Sequence, residues 1–151
     1  MLLLVICFSF NFVVKAKTLT EIVKNHYSEN CEVIKETKYF DRPIRDLKYI
    51  IRHKVKCSPN QISYAYIESH IVRTMKQVLL IDVSKKKLHR LQTLLFNEPL
   101  EYKAKKNWLN AFIGKSHPLS HKIDGISGAT LTANAVKNGV SKILEVHATL
   151  D

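Results

Sequence analysis

QVLLIDVSKKKLHRLQTLLF, residues 77–96, sets two short runs rich in Val, Ile and Leu on either side of Ser84-Lys85-Lys86-Lys87. Runs of this length and composition favour strands, and a polar tetrad between them suits a tight turn. The stretch therefore predicts a β-hairpin. Upstream, Ser63-Tyr64-Ala65-Tyr66-Ile67 is a further aromatic and apolar run, so the hairpin belongs to an antiparallel sheet. Before the strands, Thr18 or Thr20 can cap a short helix reaching about Tyr27, with Leu19, Ile22, Val23 and Tyr27 on one side. A second short helix is predicted from Pro43, preceded by Asp41 and carrying Ile44, Leu47, Ile50 and Ile51. After the strands, residues 108–112 suit a short helix ended near Gly114. The chain closes with an amphipathic helix carrying Val136, Val140, Ile143, Leu144 and His147 at helical spacing. Helices bracketing a run of strands make the expected class α+β: an antiparallel sheet flanked by N-terminal helices and a C-terminal amphipathic helix.

At 151 residues, 46% apolar and 25% charged with four Gly and four Pro, the chain has the material for one ordinary core and is neither disordered nor low-complexity. Twenty-four Lys and Arg against thirteen Asp and Glu give +11, which implies an anionic partner: nucleic acid, phospholipid headgroups or an acidic protein. The opening MLLLVICFSFNFVV, followed by Lys15 and Ala16, reads as a secretory signal. Its apolar run is short of the roughly 20 residues a membrane-spanning helix needs. The expected organisation is a signal peptide over residues 1–16 and a single domain over 17–151. An uncleaved anchor is the competing reading, because no Lys or Arg precedes the apolar run.

Cleavage would remove Cys7 and leave Cys31 and Cys57, the even number expected where disulfides persist. One bridge is the first reading and two buried free thiols the second. Neither cysteine has a CxxC partner, so no metal site or redox dithiol is expected. Export also argues against a nucleic-acid partner, and clusters such as Lys85-Lys86-Lys87 and Lys103-Ala104-Lys105-Lys106 read as solvated faces.

The segment richest in chemistry is KIDGISGATLTANAV, residues 122–136. Asp124-Gly125 makes a turn, and Ser127-Gly128-Ala129-Thr130 enters the last helix. Small residues there let the backbone approach a ligand closely, and a helix N-terminus offers free N–H groups suited to a phosphate. There is no Gly-Lys-Ser/Thr and no GxGxxG, so neither a Walker loop nor a Rossmann turn is indicated. A plain helix cap at Ser127 or Thr130 accounts for the same spacing.

Asp124-Gly125-Ile126-Ser127-Gly128-Ala129-Thr130-Leu131-Thr132 resembles, without a gap, the flavinylation motif of the FMN-binding domain family, known from the C and G subunits of sodium-pumping NADH:quinone reductase and its Rnf relatives. In that family a flavin transferase joins FMN, taken from FAD, to the threonine hydroxyl after Ser/Thr-Gly-Ala. The resemblance thus implies FMN held by a phosphoester on Thr130, with Asp124, Gly125, Ser127, Gly128 and Ala129 completing the motif. His70-Ile71-Val72-Arg73-Thr74, Phe96 to Tyr102, Trp108-Leu109 and Phe112-Ile113-Gly114 look like the order of elements in small exported members, without the long insertions of the pump subunits.

If flavin is attached, the N–H groups from Gly128 to Leu131 can hold its phosphate. Tyr102, Trp108 and Phe112 are candidate ring walls, or core residues. Arg73 can face reduced flavin or phosphate, or make a surface ion pair. His70 can titrate nearby, and Glu98 before Pro99 can shape a turn. The implied function is an exported covalent flavoprotein relaying electrons between membrane or periplasmic donor and acceptor proteins. It is expected in the periplasm or another extracytoplasmic space, either free or at a membrane. Two alternatives stand beside this carrier: a small subunit of an extracytoplasmic flavin-dependent reductase, and a basic surface-binding module without flavin.

Overall fold

Strand-forming residues are spread over more of the chain than the hairpin at 77–96, and in the computed structural model, which describes residues 17–119 and 123–150, they build five strands. The leader, Cys7 and Lys122 lie outside the described residues. The elements are α1 (Leu19–Lys24), β1 (Glu32–Ile44), β2 (Leu47–Ser58), β3 (Gln61–Ile71), β4 (Lys76–Ser84), β5 (Lys87–Phe96), a 3-10 turn (Leu100–Tyr102), α2 (Lys106–Asn110) and α3 (Thr130–Leu150). The strands lie in chain order β1-β2-β3-β4-β5, and every neighbouring pair is antiparallel. The fold is α+β, as expected.

Helix α1 begins with a reciprocal cap: Thr18 Oγ1 accepts from the Glu21 N–H, and Glu21 accepts from the Thr18 N–H. It ends at Lys24, a turn before Tyr27. The Ser84-to-Lys87 turn forms where expected, with Lys85 and Lys86 at φ of 49° and 60°.

The helix expected from Pro43 is corrected. Pro43 and Ile44 end β1, and Leu47, Ile50 and Ile51 lie in β2. Arg45 and Asp46, at φ of 46° and 65°, make a two-residue turn that pairs Ile44 with Leu47. Apolar residues three apart imitate a helix stripe here, while Lys and Glu along an edge strand dilute the strand pattern. The sheet is consequently flanked by one N-terminal helix rather than two.

Two faces follow from the alternation of side chains along a strand. On one face Tyr66, Leu79, Ile81 and Val83 pack with Val136, Val140, Ile143 and Leu144 of α3 and with Phe112. The other face is covered more thinly by Val23 of α1 over Val55, Ala65 and Leu80. On that side Asp82 is fully buried and accepts from the Tyr27 hydroxyl at 2.7 Å. Burial first, and then the Asp82 charge, push the Tyr27 phenol far above its ordinary value.

A polar line crosses the α3 side. Glu68, 3% exposed, accepts from Lys142 Nζ of α3 at 2.6 Å and pairs with His70 Nδ1 at 2.6 Å, and His70 Nε2 lies 2.9 Å from Gln77 Oε1. Gly139 makes room for it, since a Cβ there would stand 2.8 Å from Glu68 Oε2.

Cys31 and Cys57 are bridged, tying the segment after α1 to the end of β2 across a separation of 26 residues. Closing a loop of this size in the unfolded chain is worth about 3 kcal/mol. Cys57→Ser should therefore lower the unfolding free energy by about 3 kcal/mol in urea titrations, and reductant should do the same to the unaltered protein while leaving the variant unmoved. Among the described residues no helix is long and apolar enough to cross a membrane.

Candidate functional site

Residues 124–129 approach α3 as an irregular segment anchored from inside. Ile123 is buried and Ile126 packs against the main core, so the segment is held at two apolar points. Between them Trp108 Nε1 donates to the Asp124 carbonyl at 2.9 Å. The Ala129 N–H donates to the Ile126 carbonyl at 3.0 Å, closing a turn through Ser127 and Gly128. Gly128 sits at φ of +77°, where an L side chain is strained although space around it is open. That conformation swings the chain into α3.

Thr130 is the first residue of the 21-residue α3. The earliest N–H groups of a helix have no carbonyl one turn back to bond, and here Ala133 is the residue that donates to Ala129, at 3.0 Å. Thr130 is exposed, whereas Thr132 is only 1% exposed and Ala129 4%. Of the two threonines that flank Leu131, one faces solvent and one faces the core. Leu131, 52% exposed, leaves an apolar surface beside the hydroxyl. Asp124, Gly125, Ser127 and Gly128 are exposed as well. An exposed hydroxyl among unpaired helix N–H groups suits a phosphate monoester, by hydrogen bonding and by the positive end of the helix dipole.

The expected ring walls divide. Trp108 is half-buried and meets Phe112 edge-on at 5.1 Å, while Phe112 is fully buried and backs Trp108 from the core without a face to solvent. Arg73 and Tyr102 are brought to each other, with the guanidinium 5.7 Å from the ring centre. No described hydrogen bond or ring contact joins that pair to residues 124–131. The direction of the elements places the pair toward the same end: β3 passes His147 at Tyr66 and Gly139 at Glu68, so it climbs α3 toward Thr130 before reaching Arg73.

Glu98 proves more than a turn former. Its Oε1 accepts from the N–H groups of Arg73, Thr74 and Met75 at 3.1, 2.8 and 2.9 Å, fixing the loop between β3 and β4. Those N–H groups, Thr74 foremost, hold its carboxyl below the ordinary carboxylate value. The sequence signal was an acid set directly before Pro99. His70 is committed to Glu68 and Gln77 inside the sheet-helix interface. Among the described residues no group of three His, Cys, Asp or Glu is placed to hold a metal ion.

A sequence model of the FMN-binding domain matches residues 18–145, most of the chain and all of the elements from α1 into α3. Comparison with curated proteins and with solved structures finds no match. With the motif at an exposed helix start and a family match running through the sheet and the helix that display it, this chain belongs to the FMN-binding domain family.

Proposed function

We propose that this protein carries FMN covalently, by a phosphoester on Thr130, and relays electrons between membrane or periplasmic partners after export. The observation that carries the reading is the exposed Thr130 at the start of α3, two residues after a left-handed Gly128 in a chain of a flavin-binding family. The residues present fit the group: an accessible hydroxyl at the helix start, unpaired helix N–H groups and exposed Leu131 beside them. Bound FMN supplies one- and two-electron exchange that the polypeptide lacks.

The chain's own residues position rather than react. Thr130 Oγ1 is the anchor, the N–H groups of Gly128, Thr130 and Leu131 steady the phosphate while that of Ala129 is spent on the Ile126 carbonyl, and Trp108 fixes the Asp124 carbonyl and hence the approach to the helix. Arg73, over Tyr102, offers a cation to an electron-rich ring or phosphate. An unassisted threonine hydroxyl is inert, so the flavin transferase must bring the base and metal. Residues 1–16 serve as the export signal and residues 17–151 as the single flavin-bearing domain.

Protein made together with a flavin transferase, precipitated with hot acid and washed, should keep flavin fluorescence in the pellet; fluorescence wholly in the supernatant would mean noncovalent binding. Relay function makes a further demand. Removing the leader takes away one positive charge, Lys15, and leaves +10, a surplus that steers acidic redox partners. Electron-transfer rates should fall steeply between low and high salt, because screening acts over roughly 8 Å at physiological ionic strength. Rates flat in salt would assign the charge to solubility alone.

A further inference from the structure

Strand β5 forms one edge of the sheet, and only its beginning is covered: Leu88 donates to the Lys115 carbonyl and accepts from the Gly114 N–H, both at 2.7 Å. Among the described residues, no other position of β5 is bonded on that side by a backbone group. From Arg90 to Thr93, four successive residues line a groove of about 1050 Å³ whose far wall is the 3-10 turn and α2. Successive strand residues point to opposite faces, so a groove touching all four runs along the strand's edge. Its walls include Leu91, Leu109 and Ile113, and its rim carries exposed Lys103, Lys105 and Lys106 against one acid, Glu101. The opposite edge is guarded: β1 carries Pro43, which has no N–H, and its register breaks between Tyr39 and Ile44.

We propose that this groove receives an extended acidic peptide segment, which adds alongside β5 as a further strand. Main-chain bonds to the open edge give the affinity, and the three lysines select acidic side chains. The chain's net charge of +11 draws such a segment in and repels basic competitors. The inference is independent of whether flavin is attached.

The test uses the full chain and a fluorescein-labelled hexapeptide of alternating Glu and Val, followed by fluorescence anisotropy. Binding is expected, with slowed hydrogen exchange at residues 90–93. Combined Lys103→Glu, Lys105→Glu and Lys106→Glu should weaken it by about tenfold or more, since each rim pair contributes a small increment. A peptide with alternate amides N-methylated should not bind the unaltered protein, so the outcome does not hang on the folding of the variant. Equal binding of the N-methylated peptide, equal binding of an alternating Lys-Val peptide, or no binding of the Glu-Val peptide would each overturn the proposal.

Discussion

Coexpressed with a flavin transferase, the protein should gain the mass of one FMN less one water, and Thr130→Ala should abolish that gain entirely. The loss should be all-or-none because the other threonine is out of reach and the other exposed hydroxyl is off the helix: Thr132 is 1% exposed, and Ser127 lies before the left-handed Gly128. The fold should survive, since Thr130 is exposed and truncating a residue at a helix start costs about 1 kcal/mol. A melting curve run beside the mass spectrum separates lost attachment from lost structure. Thr130→Ser retains a hydroxyl and should label more slowly. Asp124→Ala should impair labelling if the transferase reads the whole motif, while leaving intact the Trp108 bond, which goes to the backbone of residue 124. Covalent flavin on Thr130→Ala would sink the assignment.

Glu68→Ala should cost about 4 kcal/mol, because it strands two cationic groups at the sheet-helix interface and opens a void beneath Gly139. Burial alone would push the Glu68 carboxyl up. The hydrogen bonds from His70 and Lys142 overrule burial and hold it below its ordinary 4.5. For His70 burial alone would favour the neutral ring, and the Glu68 and Gln77 bonds overrule it to raise the value above 6.5. The signs then differ. Stability from Glu68 is present above about 4.5 and fades as pH falls through its lowered folded value. Stability from His70 is full below about 6.5 and fades as pH rises through its raised folded value. Urea titrations should therefore find both contributions complete between these two values. Glu68→Gln, which keeps the volume and removes the charge, should flatten both arms; an unchanged pH profile in that variant would show that the cluster is not the source.

The helical periodicity of residues 136–147 and the β-rich runs on both sides of Ser84 carried their own structure in local chemistry, so α3 and the β4–β5 hairpin were legible from residue order alone. The β1–β2 hairpin was not. Its turn uses Arg45 and Asp46 in a left-handed conformation that glycine or asparagine usually announces, and its strand carries charges that suit an exposed edge. Part of the polar line was readable in principle: Tyr64, Tyr66, Glu68 and His70 fall on one face by a period of two. Thr130 was found through its motif. The grip of Trp108 on Asp124 was beyond reach, because it joins residues 16 apart through a path that only the packed core determines.

Each strand of the sheet finds its partner in the segment just before or just after it, so the sheet can assemble by successive short closures as the chain lengthens from its first residue. Helix α3 is different: it returns from the end of the chain to lie on β3 and β4. A growing chain thus completes its sheet while one apolar face is still bare, and Thr130 arrives with the very element that covers it. The start of α3 is in place only when that helix lies on the sheet, so attachment of FMN at Thr130, as proposed, would report on a packed domain.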